Sequence, residues 1–223
     1  MRFATYCAVV MLCCLGHCWP QEAMRLSFDE GLACGAVEPV VAEGAKPVTA
    51  EVGRGVQVGP GASLAYPAPA FVTEGFDIRL RVSHLKGIDE MHFEELTYLY
   101  HETEDGRNRI LVHKRLGTDY ILFAMSDGTG KAKGAQFAGN WFAMKSPVLD
   151  WTEGSWHELR LTASRRGQRA ALHIDGKQVA SAKGTQMPQA TSDRFWLGNM
   201  KGRCQMLGVI GAVTIAPAGE VSE

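Results

Sequence analysis

The chain has 223 residues, 46% of them hydrophobic and 21% charged, with a formal net charge of −1. A near-neutral balance with lysine and arginine spread along the chain argues against a nucleic-acid partner, which calls for a concentrated basic face. Once a targeting segment is set aside, about 200 residues remain, enough for one all-β domain with a sizeable core.

In chain order, residues 1–18 read as a secretory signal. Arg2 supplies a short positive region, and Phe3 to Leu15 is apolar but too short to span a bilayer. Gly16-His17-Cys18 places the cut near Cys18. Leu15-Gly16-His17-Cys18 also resembles a bacterial lipobox, from which His17 departs because the residue before a lipidated cysteine is normally small. The expected location is secreted or extracytoplasmic, with lipid anchoring at Cys18 as the minor alternative. No later run is apolar enough for a transmembrane helix.

Residues 24–217 carry strand signals throughout, and 218–223 form a polar C-terminal tail. A short strand is expected around Leu26 to Phe28, then strand-like pieces at "PVTAEVG" and "GVQVG". "YPAPA" at 66–70 has two prolines, which argues against a central strand. "FDIRLRVS" alternates with period two, Ile78, Leu80 and Val82 against Asp77, Arg79, Arg81 and Ser83. "LTYLYHE", "RILVHKR" and "DYILFAMSD" follow as strands, and 128–147 reads as loop. In "WHELRLTAS", Leu159 and Leu161 point one way and Glu158, Arg160 and Thr162 the other. Arg165-Arg166-Gly167-Gln168 is a turn in which Gly167 can take positive φ. Asp175-Gly176 is a strong two-residue hairpin signal. Ten to thirteen short strands, with no long helical period, predict an all-β antiparallel two-sheet sandwich. The basic clusters, Arg165-Arg166 with Arg169 and Lys201 with Arg203, read as solvated turns.

"LSFDEG", "FDIRLRVS", "GRNRILVHKR" with "YILFAMSD", "DWTEGSWHELRLTAS…RAALHIDGKQVASA", "FWLGN" and "GVIGAVTIAP" together resemble the LamG-like branch of the concanavalin A-like lectin/glucanase superfamily. The resemblance covers most of residues 25–217 and implies a jelly roll of two antiparallel sheets. It implies a core position for Trp151, Trp156 and Trp196 and a packing role for His157. It leaves function open, since such domains bind glycans, bind proteins or cleave polysaccharides.

Of six cysteines, Cys7, Cys13, Cys14 and Cys18 belong to the signal or its edge, leaving Cys34 and Cys204. Two cysteines in an exported domain suggest one disulfide. The first and last strands of the resembling fold pair antiparallel. Setting Phe28 opposite Val213 would bring Cys34 near Cys204; two separate buried thiols are the alternative.

Chemistry is sparse. Glycosidases of the superfamily carry Glu-x-Asp-x-(x)-Glu on a strand, and "EMHFEE" at 90–95 offers Glu90, Glu94 and Glu95 with His92 in the Asp place. The bland reading is a solvated loop with scattered acids. The histidines show no metal-ligand spacing. Calcium through Asp89, Asp105, Asp119, Asp127 or Asp193 has no ligand motif behind it, and Asp105 and Asp127 precede glycines as turn residues do. Asn140 and Trp141 form the candidate ligand-binding pair, an aromatic face beside an amide that can bond hydroxyls. The sequence thus favours a non-catalytic carbohydrate-binding module acting on an extracytoplasmic glycan. The rivals are a glycoside hydrolase using the 90–95 acids and an adhesion domain for a cell-surface protein.

Overall fold

The alternating segments pair into two antiparallel sheets packed face to face, a sandwich of jelly-roll type. The computed structural model describes residues 23–50, 53–91, 94–129, 141–184 and 186–219, so the signal segment and Asn140 lie outside it. The strands are β1 (Met24–Leu26), β2 (Val41–Glu43), β3 (Lys46–Ala50), β4 (Gly53–Val58), β5 (Ser63–Pro67), β6 (Gly75–His84), β7 (Leu96–Glu102) and β8 (Asn108–Lys114). There follow β9 (Ile121–Asp127), β10 (Trp141–Lys145), β11 (Trp156–Ser164), β12 (Arg169–Ile174), β13 (Lys177–Lys183), β14 (Arg194–Leu197) and β15 (Gly208–Pro217). The first sheet runs β13-β12-β11-β6-β15-β4-β3, with β1 also paired to β15; the second runs β10-β9-β8-β7-β14-β5-β2.

Period two decides which side chains meet between the sheets. Ile78, Leu80 and Val82 of β6 and Leu159 and Leu161 of β11 are fully buried. Their cross-strand partners match in phase, Leu80 opposite Leu159 and Ile78 opposite Leu161. Across the sandwich, Phe76 of β6 meets the edge of Phe123 of β9 with ring centroids 6.3 Å apart. Each such side chain, taken from water, contributes about 1.5–3 kcal/mol.

One strand organises the first sheet. β15 pairs with β6 along nearly its whole length. Its other edge is divided, Gly208–Ile210 pairing with β4 and Val213–Ile215 with β1. Gly211 falls in the gap and is the extra residue of a bulge, since Ile210 faces Val82 and Ala212 faces Arg81. Gly55 of β4 belongs to the same crossing: a Cβ there would lie 2.7 Å from Val209 Cγ1 and 2.8 Å from the Ile210 carbonyl oxygen.

Several local expectations are corrected. β1 stops at Leu26 instead of running through Phe28, because Phe28 turns to φ 58° while its ring stays buried against Tyr66 at 6.3 Å. Residues 141–145, expected in a loop, form edge strand β10 against β9. Tyr66 and Pro67 do belong to a strand with neighbours on both sides. Pro67 is tolerated as its last residue, beyond the Val41–Ala65 pair where β2 stops. In the 165–168 turn the positive φ belongs to Gln168, at 46°, while Gly167 donates its N–H to Ser164 Oγ at 3.0 Å. Asp175-Gly176 has both φ positive, 50° and 77°, as a type I′ hairpin requires.

The Cys34–Cys204 bond is not formed; both thiols are free. The register alone would allow the bond: Leu26 lies opposite Val213, which would carry Cys34 opposite Gln205, beside Cys204, had the strand run on. The turn at Phe28 then takes the chain off β15 altogether. Cys34 instead pairs its backbone with Val37, and Cys204 directs its thiol to Glu95 Oε2 at 3.6 Å. Burial, followed by the Glu95 charge, pushes the Cys204 thiol pKa up. Alkylation in denaturant without reductant is expected to label both the Cys34 and the Cys204 peptide; a cross-linked pair of peptides in the mass spectrum would contradict the structure.

Buried histidines make the fold acid-sensitive. His84, 2% exposed, bonds Tyr98 Oη at 2.9 Å, and burial pushes its pKa from 6.5 down to about 4. The unfolded chain takes up that proton near pH 6.5 and the fold only near pH 4. The contribution is therefore complete above pH 6.5 and is lost as pH falls towards 4, about 3 kcal/mol in all at roughly 1.4 kcal/mol per unit. Burial shifts His101 and His113 in the same direction. Denaturant midpoints should fall steeply between pH 7.5 and 4.5, and less so in His84→Gln; a flat wild-type profile would show that His84 is not held neutral.

Candidate ligand-binding site

The residues singled out from the sequence do not converge. Glu90, Glu94 and Glu95 all lie in the connection between β6 and β7, not along a strand. Glu90 and Glu94 use their backbone N–H groups in turns, to Gly87 O and Met91 O. Glu95 faces Cys204. Fully buried Lys114 anchors this connection from β8, its Nζ donating to Met91 O at 2.6 Å, and burial pushes its pKa down. Trp141 opens β10 at the margin of the second sheet, where the Arg109 guanidinium stands 5.6 Å from its ring centre. Arg109 is itself ion-paired with Glu102.

Among the described residues no three His, Cys, Asp or Glu side chains come together as a metal site. Asp105 accepts from Thr103 Oγ1 and the Arg107 N–H, Asp127 from Thr129, and Asp193 pairs with Arg194. These are turn and surface contacts.

A hydrogen-bonded chain with hydrolase-like distances does exist. Ser155 Oγ lies 2.8 Å from His157 Nε2, and His157 Nδ1 lies 2.8 Å from Asp175 Oδ2. Its surroundings give it another role. The Ser155 hydroxyl is also 2.7 Å from Thr152 O, so its one hydrogen has a backbone acceptor. Asp175 Oδ1 accepts the Glu158 N–H at 2.8 Å. The His157 ring lies flat on Trp151, 4.1 Å away and 2° from parallel, and Trp151 in turn packs on His84. The chain thus ties the 151–155 loop to the Asp175-Gly176 turn and locks the start of β11. A serine-directed fluorophosphonate should leave Ser155 unlabelled; labelling there would reveal a working nucleophile.

That lock has a consequence on the opposite face. Successive strand residues point to opposite sides, so fixing His157 fixes Trp156 outward. Trp156 is half-buried, its indole laid over Gly211. A Cβ on Gly211 would meet Trp156 Cζ3 at 2.7 Å. The Arg81 guanidinium stands 5.2 Å from the ring centre. Beside them opens a cleft of about 200 Å³, lined by Ser27, Asp29, Arg54, Arg81, Trp156 and the Gly211-Ala212 backbone. Arg54 enters from the start of β4 and donates to the Asp29 carbonyl. The left-handed turn at Phe28 presents Ser27 and Asp29 to the cleft while its own ring enters the core.

Trp156 therefore departs from the core position that the resemblance implies, as does half-buried Trp196, whereas Trp151 is buried as expected. Parity carried the correct signal: Trp156 is in phase with Glu158, Arg160 and Thr162, the polar set of its strand. Arg81 is likewise in phase with Asp77 and Arg79. Nothing local marks Arg54, Asp29 or Gly211 as their neighbours.

No family model matches the sequence, and no curated protein matches it. Solved structures do. Domain 4 of an extracellular arabinanase from Geobacillus stearothermophilus, solved with arabinotriose, aligns with TM-score 0.61 at 13% identity, over 86% of this chain and 89% of that one. The botulinum neurotoxin serotype G binding domain aligns with TM-score 0.59 at 14% identity, over 86% of this chain but only 45% of its own. The CBM40 module of the Ruminococcus gnavus IT-sialidase, bound to α2,3-sialyllactose, gives 0.50 at 10% identity, over 66% and 77%. The chain shares their β-sandwich fold.

Proposed function

We propose that this protein is an extracytoplasmic, non-catalytic carbohydrate-binding module whose ligand site is the Trp156 cleft. The observation that carries the reading is the seating of Trp156: a fixed indole on an outer sheet face, backed by Gly211 and open beside polar groups. A sugar ring offers one apolar face to such an indole, while guanidinium, carboxylate, hydroxyl and backbone groups around it meet the ring's hydroxyls. Structural neighbours solved with arabinotriose and sialyllactose support the reading, as does the signal-like segment at residues 1–18. Against the hydrolase alternative stand the loop placement of Glu90, Glu94 and Glu95 and the structural use of the Ser155-His157-Asp175 chain.

A glycan array followed by calorimetry tests it. Trp156→Ala should weaken any glycan hit at least tenfold, the loss expected when a central aromatic anchor worth more than about 1.4 kcal/mol is removed. Gly211→Ala should weaken the same hit by displacing the indole, with thermal stability largely kept. No reducing ends should be released from the hits. Unchanged affinity in both variants would place the site elsewhere, and released oligosaccharide would restore the enzyme reading.

A further inference from the structure

The outer face of the first sheet carries a charge imbalance centred on the cleft. One register row away, the acids and bases are matched. Arg160 grips Asp77 through Nε at 3.0 Å and Nη2 at 2.7 Å, and Arg79 reaches the same carboxylate at 3.5 Å. Asp175, at the end of β12, is taken by His157 and the Glu158 N–H. The two cleft arginines have no such partner. Among the described residues neither Arg54 nor Arg81 forms an ion pair. Arg54 contacts a backbone carbonyl, and Arg81 faces the Trp156 ring although Glu158 sits directly across the ladder from it. The lining thus holds two guanidinium groups against one carboxylate, Asp29.

We propose that the cleft recognises a single carboxylate-bearing sugar ring, an inference that rests on the carbohydrate-binding reading. A guanidinium is a planar fork that matches a carboxylate through two parallel hydrogen bonds, and it binds more tightly than a neutral hydroxyl donor could. Two forks flanking an indole fit a ring with one apolar face and one acidic substituent. Asp29 and Ser27 face the same space and accept from the ring's hydroxyls. Asp29 also disfavours an acid on its own side, which orients the ligand with its carboxylate towards Arg81 and Arg54. The volume of about 200 Å³ is below the 300–1,000 Å³ usual for a whole drug-sized ligand. One ring enters, and the rest of the glycan stays in solvent. Gly211 and Ala212 lie between the β4 and β1 ladders, so a ligand reaches backbone there that no strand covers on that edge.

The test uses pairs of probes differing only in charge: glycans ending in a uronic or sialic acid, the same glycans as carboxylate methyl esters, and sulfated counterparts, titrated calorimetrically into the purified protein. The acids should bind at least tenfold tighter than their esters and tighter than the sulfated set, with affinity falling between 0.05 and 0.5 M salt. Arg81→Gln and Arg54→Gln should each reduce the acid–ester difference. Arg81→Lys should recover only part of it, because charge returns without the fork. Equal binding of acid and ester overturns the inference but leaves the carbohydrate reading standing. Tighter binding of the sulfated glycans overturns the commitment to carboxylate. Absence of binding by every probe and by neutral glycans overturns both.

Discussion

The divided edge of β15 is the constraint on which the rest of the structure depends. β15 is fully committed to β6 on one side, and its other side must accept β4 and β1 in succession. All three partners lie within residues 24–84 while β15 spans 208–217, so the sheet closes only when distant segments meet. Such pairing makes loop closure costly before any contact is gained. Where one partner leaves and the next arrives, the strand bulges at Gly211, which leaves room for the Trp156 indole, while Gly55 lets the β4 backbone approach closely. The cleft is the direct product of that handover.

A second constraint acts through the Asp175-Gly176 hairpin. Aromatic packing from His84 to Trp151 and stacking of Trp151 on His157, continued by the hydrogen bond to Asp175, fix the first residues of β11 from the core side. Because neighbouring strand residues face opposite ways, rigidity bought on the inside positions Trp156 on the outside. A side chain already held in place loses little freedom when a ligand arrives, which is how a shallow site gains affinity. The distances that look catalytic serve this positioning.

The two outer faces of the sandwich differ in kind. On the second sheet, outward residues such as Tyr100, Leu111 and Ala124 are nearly as buried as the core, and beside them His113 and Thr97 hold side-chain polar atoms without hydrogen-bond partners. On the first sheet, Arg79, Arg81 and Glu158 are exposed. There the indole of Trp156 stands beside a cleft lined by charged groups. Trp141, the aromatic that its loop-like sequence context brought forward, instead sits on an edge strand next to an arginine already engaged by Glu102.

Much of the fold was legible because strand alternation and turn chemistry are local. Ile78-Leu80-Val82 against Asp77-Arg79-Arg81 assigns faces without knowledge of any partner, and Asp175-Gly176 needs only its own two backbone angles. Extended back from Glu158, the same parity would have put Trp156 on the polar face, but the expectation drawn from the sequence followed the family resemblance and placed it in the core. The register of β1, the φ of Phe28 and the separation of Cys34 from Cys204 were not legible, since each depends on how a buried ring and a distant strand are accommodated together. The sequence by itself determined a two-sheet antiparallel sandwich and, in unbroken alternating runs such as Asp77 to Val82, the side of the sheet on which a residue stands. Only the tertiary structure decided that Ser27, Asp29, Arg54, Arg81, Trp156 and Gly211 share one cleft, because strand order and register are set by long-range packing that no short stretch encodes.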